Sequence, residues 1–191
     1  MTGVAMEMTI EDSAYRAALA RIVAANGPGA LHSVFDVIGE AMVSKTQMRF
    51  HEGHGPDGEA WKPSQRAVKT GGQTLIETGR LMQSQTHNVL PDNEGVEWGT
   101  NVVYAAIHQN GGTIDIHAHE QTIFRKVGRD GTLGNLFVRR SKANFESSHH
   151  VGDYSIEMPA RAFVGIDDDD RAEILDVLVR HEQNAIDGSA H

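Results

Sequence analysis

The chain contains no cysteine. That absence removes disulfides, thiolate metal sites and cysteine nucleophiles together, and it suits a reducing compartment. There is no apolar run of about 18 residues, the length a helix needs to cross a bilayer. The first residues lack a charged stretch followed by an apolar one, so no secretory signal is expected. Phosphate-cradling loops of the GxGxxG or GxxxxGK[ST] type are missing, and so are the GxSxG elbow and the HExxH zinc helix. Positive charge is also short. The net charge of −9 argues against a protein that wraps nucleic acid by neutralising phosphates.

What is present is a chain of 191 residues, 39% of them hydrophobic. That is enough to bury a core and favours one domain, with or without an appendage. The charge is unevenly spread. Arg125, Lys126, Arg129, Arg139, Arg140 and Lys142 cluster in one segment, while Asp167 to Asp170, Glu173, Asp176, Glu182 and Asp187 make the C-terminal end acidic. Opposite poles on one chain suit head-to-tail contacts between copies. The plainer alternative is ordinary solvated surface.

Periodicity orders the chain. Thr9 and Asp12 have capping-box spacing, with Asp in place of Glu, ahead of an alanine-rich helix that Asn26-Gly27-Pro28-Gly29 stops. Leu31, Val34, Phe35, Ile38, Met42 and Met48 recur near a 3.6 period from about Ala30 to Phe50, which predicts a framework helix roughly 30 Å long. A glycine loop follows and ends at Trp61 and Pro63. Ser64 is a candidate cap for a short turn through Val68, and Thr78 to Ser84 opens another short helix.

Residues 85–91 and 94–100 read as paired strands around an Asp92-Asn93 turn. Asn101 to Gly112 reads as one short helix, capped by Asn101 or Thr100 and stopped by Gly111. Thr113 to His119, Thr122 to Val127 and Asn135 to Arg139 read as extended, with Gly128 to Gly131 as the turn of a hairpin. Residues 141–153 read as polar loop, Tyr154 to Met158 as a strand, and the chain after Asp167 or Asp168 as a helix whose apolar face is Ile174, Leu175, Val177, Leu178 and Ile186. The expected class is α+β: a small mixed or antiparallel sheet packed on a long helix and a C-terminal helix, with an inserted β-hairpin. One domain over 1–191 is expected, with an N-terminal helix in 1–28 and the insert in about 113–158.

Candidate chemistry centres on eleven histidines. His117 and His119 are two apart on a predicted strand and would share a face. His149 and His150 are adjacent, and His51 and His54 flank the glycine loop. Zinc needs at least three converging protein ligands, and such spacings arise by chance in a histidine-rich chain, so polar surface is the reading adopted. Asp57-Gly58-Glu59 does not meet a calcium-loop pattern, and Asp167 to Asp170 read as a helix cap with solvated charge. Phe124 and Phe137 within the basic segment are compatible with single-stranded nucleic acid, but a protruding hairpin for protein contact fits the net charge better. No catalytic, cofactor-binding or metal residues are assigned.

Several fragments recur in one order. They are Pro56-Asp57-Gly58-x-x-Trp61-x-Pro63, Leu75-x-x-Thr78-Gly79-x-Leu81-x-x-Ser84, Val96-x-Trp98-Gly99-Thr100-Asn101, Tyr104-Ala105-x-Ile107-His108-Gln109-x-Gly111-Gly112 and Pro159-Ala160-Arg161-x-Phe163-x-Gly165. This set resembles the phage virion morphogenesis family, which includes the Mu-type G protein and related tail-completion proteins. The resemblance runs from about Leu31 to Ile186, and the region between Gly112 and Pro159 is an insert seen in part of the family. At Ala162 the family usually has proline.

The resemblance implies a structural protein without catalysis or cofactor, forming a homo-oligomeric, commonly sixfold ring at the head-proximal end of a tail. Its partners would be copies of itself, the tail tube and the neck or connector proteins. DNA would pass without sequence-specific binding, and no membrane would be involved. Its place would be the virion's head–tail junction, reached from the host cytoplasm during assembly. A head-completion role is the neighbouring alternative; a histidine-based metal hydrolase and a nucleic-acid-binding module are the more distant ones. Arg125, Lys126, Arg129, Arg139, Arg140, Asp168 and Glu173 are the expected interface residues. Trp61, Gly79, Leu81, Tyr104, His108, Gln109, Gly111, Gly112, Pro159 and Phe163 are the structural signature. The polar tips of Tyr104, His108 and Gln109 are expected to satisfy backbone groups of loops near Gly79 and Pro159.

Overall fold

The computed structural model describes residues 4–7, 13–27, 29–93 and 95–188. The proposed capping pair Thr9 and Asp12 lies outside them. The fold is α+β, with small antiparallel sheets and a C-terminal helix. It divides into two compact units, Met1–Gly111 with Pro159–His191, and Gly112–Met158.

In the first unit the framework helix α2, after the N-terminal strand β1 (Val4–Glu7) and helix α1 (Ser13–Asn26), runs Ala30–Glu52. Its inward stripe is Val34, Phe35, Ile38, Met42, Thr46, Arg49 and Phe50. Met48, expected on that stripe, is 53% exposed. Six residues beyond Met42 is about 240° around the helix, so position 48 has rotated away while 46 and 49 continue the stripe. Gly53 ends the helix in the left-handed region, its N–H bonded to the Arg49 carbonyl at 2.8 Å.

Strands β2 (Thr86–Val89) and β3 (Val96–Thr100) pair antiparallel from Thr86↔Gly99 to Val89↔Val96, and β1 takes the other edge of β3. A 3-10 turn over Pro91–Asn93 joins β2 to β3. Val96 and Trp98 point inward as the alternation requires. The sheet lies on α2, where Gly39 leaves room for the His87 ring, and His87 Nε2 donates to Asp36 at 2.9 Å.

Ser64 does cap a helix, accepting from the Ala67 N–H at 3.1 Å, and this helix, α3, extends to Thr70 (Gln65–Thr70). Helix α4 follows (Arg80–Gln83). The signature helix is shorter than expected: α5 spans Ala105–Asn110. Thr100 Oγ1 does accept a backbone bond, from Val102 at 3.2 Å, but this closes a turn, and the helix begins only after Tyr104 with no side-chain cap.

The C-terminal helix α6 (Asp168–Gly188) buries Ile174, Val177 and Leu178 against α2 and α1, whose Ala18 and Ile22 complete the contact. Leu175, expected on the same face, is 36% exposed. It lies about 100° from Ile174, off a stripe that the 174–177–178 spacing already fills.

The second unit holds two ladders. Strand β4 (Gly112–Ile116) pairs with β7 (Tyr154–Met158), and β5 (His119–Arg125) pairs with β6 (Phe145–Val151), both antiparallel. Residues 135–139 are not a strand, and the partner of β5 is the stretch expected to be loop. Ser147, Ser148, His149 and His150 gave no hydrophobic alternation because β6 has no buried face to serve. The ladder is held by its backbone bonds. The Gly128 to Gly131 turn does form, with Gly131 N–H on the Gly128 carbonyl at 3.1 Å. No side chain of this unit is buried.

Candidate functional site

The densest polar construction in the first unit lies around residues 159–167, an irregular strap that precedes α6. Irregular backbone at a core must find partners for its N–H and C=O groups, and three side chains from distant elements, Gln109, Trp61 and Arg49, supply several of them. Gln109, near the end of α5, accepts from Phe163 N–H at 3.0 Å and Val164 N–H at 3.1 Å, and donates to the Val164 carbonyl at 2.7 Å. Trp61 Nε1 donates to the Ala162 carbonyl at 2.9 Å. Arg161 Nε reaches back to the Lys62 carbonyl at 2.7 Å, while its own N–H meets the His108 carbonyl at 2.7 Å.

Arg49, on the inward stripe of α2, donates to the Gly165 carbonyl at 3.0 Å and to Asp167 at 2.8 Å, and forms a short ion pair with Asp170. Phe50 meets Trp61 edge to face at 5.5 Å between ring centres and Phe163 at a tilt at 5.2 Å.

The strap ends in a reciprocal cap: Asp170 N–H donates to Asp167 at 2.7 Å and Asp167 N–H to Asp170 at 3.0 Å. Burial alone would raise the Asp167 carboxyl, but the Asp170 N–H, Arg49 and Lys45 outweigh it and hold the group below its ordinary range. Gly165 is required by close approach, since a Cβ there would fall 2.4 Å from Pro56 Cγ.

Of the signature residues, Trp61, Gln109 and Phe163 therefore meet at one place, and the His108 carbonyl joins them through Arg161. Gln109 does what was expected of it. The other two polar tips do not. Tyr104 is 41% exposed and meets His108 edge to face at 6.0 Å. The His108 ring has Nδ1 buried without a partner among the described residues. Burial, and secondly the Arg161 charge, lower its pKa, so the ring is neutral at neutral pH.

Gly79 and Leu81 belong to a separate corner. Gly79 starts α4, and the carbonyl of buried Leu81 takes the Gln85 amide at 2.9 Å. Gly111, with φ 70° and ψ −171°, turns the chain out of α5 in a region open essentially to glycine, and Gly112 opens β4 opposite Met158. Pro159 leads into the strap. Arg49 was not singled out in the sequence. Its signal was present: it stands where the inward stripe continues past Met42 and Thr46, and a charge on a buried stripe requires a partner.

The expected interface residues fall into two groups. In the second unit the Arg125 guanidinium lies 5.4 Å from the Phe137 ring centre and that of Arg140 5.9 Å from Phe124. Lys126, Arg129 and Arg139 are exposed beside them. On α6, Asp168 is exposed 3.8 Å from Arg171, and Glu173 is half-buried 3.3 Å from Arg180. The histidines do not gather. His150 pairs with Glu120 at 3.1 Å, His149 with Ser147 at 3.0 Å, and His117 sits 3.9 Å from Asp153. Among the described residues no three His, Asp or Glu side chains converge as metal ligands. No helix among them is long and apolar enough to cross a membrane.

These features define a class: an α+β protein whose converging polar side chains are directed at its own backbone, carrying an inserted unit without a core. The phage virion morphogenesis family model matches residues 10–183, and the chain belongs to that family. No curated protein and no solved structure matches the chain.

Proposed function

We propose that the chain is a non-enzymatic subunit that completes or terminates a phage tail and joins it to the head, acting as one copy in a closed, sixfold ring. The observation that carries this reading is the inserted unit, in which two two-stranded ladders expose every side chain at least in part. A two-stranded ladder is marginal in water by itself, and a surface of this kind suits a contact ordered during assembly. The polar groups that converge in the other unit are consumed by the strap, which favours a structural role over a catalytic one. Copies of the same chain, the tail tube below and the connector above are the partners this role requires. The net charge of −9 would repel phosphate weakly, so that a duplex slides through the ring rather than sticking.

Reconstruction of the neck of the virion by electron cryo-microscopy tests the proposal. A ring of this chain at the head-proximal end of the tail is expected. Density at the head vertex instead would transfer the chain to head completion, and a lumen lined by its Lys and Arg would refute the sliding argument.

A further inference from the structure

We propose that the basic tip of the inserted unit, residues 125–142, docks on the solvent face of α6 of a second copy. The inference rests on the ring reading above and names the contact that would build the ring.

The tip is shaped. Gly134 N–H bonds the Lys126 carbonyl at 2.8 Å, Val138 N–H the Phe124 carbonyl at 3.0 Å, and the Asn144 amide brackets Val127 at 2.7 and 3.0 Å. This frame presents Leu136 at 80% and Phe137 at 70% exposure, with Leu133 at 40% beside them. Residues 125–142 contain six Lys or Arg and a single acid, Asp130. Two of the arginines are already laid on aromatic rings, which reduces the rotamer freedom lost on binding.

The face of α6 opposite its buried stripe has the matching composition. Ala172, Leu175 and Val179 form an exposed apolar strip at helical spacing, rimmed by Asp168, Asp169 and Asp176, of which Asp168 lies 3.8 Å from Arg171 and Asp176 pairs with Arg180 at 2.9 Å, so the incoming cations would compete with the helix's own arginines. Apolar centre would meet apolar centre while cationic rim meets anionic rim. This arrangement excludes water from the centre and fixes register by charge. Exposed leucines favour an aliphatic protein surface over nucleic acid, since bases stack on aromatic rings and need no leucine. The two patches differ and lie on different parts of the chain, so the contact can be made head to tail and, repeated from copy to copy, close the ring that the reading above requires.

The cysteine-free chain allows a clean test. Full-length Leu136→Cys and Val179→Cys are prepared separately, mixed and oxidised across a concentration series, and native mass is measured on the wild type in parallel. A disulfide-linked heterodimer is expected from the mixture, with Leu136→Cys plus Val68→Cys as the control at another exposed valine. Arg139→Glu with Arg140→Glu should lower the yield by about tenfold, and rising salt should lower it too. Linking to Val68→Cys as readily as to Val179→Cys would overturn the docking site. So would tip-dependent, salt-sensitive binding of a short single-stranded DNA with no cross-link. If the wild type forms a closed oligomer without the cross-link, the docking inference fails while the ring reading stands. If neither oligomer nor cross-link forms, both fail.

Discussion

Gln109 holds Val164 from both sides of its residue, donating to its carbonyl at 2.7 Å and accepting its N–H at 3.1 Å. One side-chain amide thus acts as a strand edge for a strap that has no sheet to join. With Phe163 N–H as a third partner, replacing the amide by a hydrocarbon leaves two donors and an acceptor without partners in a buried place. Gln109→Leu should cost about 3 kcal/mol and lower the melting midpoint by on the order of 10 °C. Unchanged melting with lost assembly would show that Gln109 is an interface residue instead.

The Arg49 ion pair gives a prediction with a built-in rescue. Asp170 is fully buried, and Arg49 is its cation. Arg49→Met leaves that charge unpaired and should cost about 4 kcal/mol, whereas removing both charges is far cheaper. Arg49→Met with Asp170→Leu should therefore melt above Arg49→Met alone. A double variant that melts lower than the single would mean that the Asp170 cap to Asp167, rather than the ion pair, dominates.

The elements best read in advance are those whose pattern reports burial. The α2 stripe, the alternation of Val96 and Trp98, and the Ser64 cap each follow from one local rule, and each formed. Where burial is absent the pattern misleads. Leu136, Phe137 and Val138 look like a strand because they are apolar, yet two of them face solvent and the ladder partner is the polar run ending at His150. The strap was legible only as a motif. Its geometry depends on Arg49, Trp61 and Gln109, which lie more than fifty residues away in sequence, and no local period encodes that convergence.

His108 makes stability pH-dependent with a definite sign. Its folded pKa lies below the ordinary histidine value of 6.5, so the unfolded chain binds the proton more readily. The associated stability is complete above that value and is lost as pH falls from it toward the folded pKa. His108→Phe, which removes the titrating ring while filling the space, should flatten part of the fall in melting temperature on acidification from neutral pH. Parallel curves for variant and wild type would refute the assignment.

Gly39 tests close packing of the sheet on α2. An alanine in a helix interior ordinarily gains about 1 kcal/mol over glycine. Here its Cβ would lie 2.3 Å from Cδ2, 2.5 Å from Cγ and 2.9 Å from Cβ of His87. The last of these is the root of the side chain and cannot swing aside. Gly39→Ala should destabilise by about 2 kcal/mol, and in a His87→Gly background, which removes that Cβ as well as the ring, the same change should stabilise. Additive effects of the two substitutions would place the origin of the cost elsewhere.

The inserted unit should be dispensable for folding and indispensable for assembly. Gly112 and Met158 are register partners, so the two ends of the insert lie side by side and a short Gly-Ser linker can join them. None of the side chains removed is buried, so the core formed by α2, α6 and β3 keeps its contacts. Such a variant should melt within about 3 °C of the full chain, since a shorter loop changes the closure entropy only slightly. It should also lose any self-association that native mass measurement detects in the parent. A collapse of the melting transition would show that the insert supports the core, and an unaltered oligomer would show that the ring is built from the other unit alone.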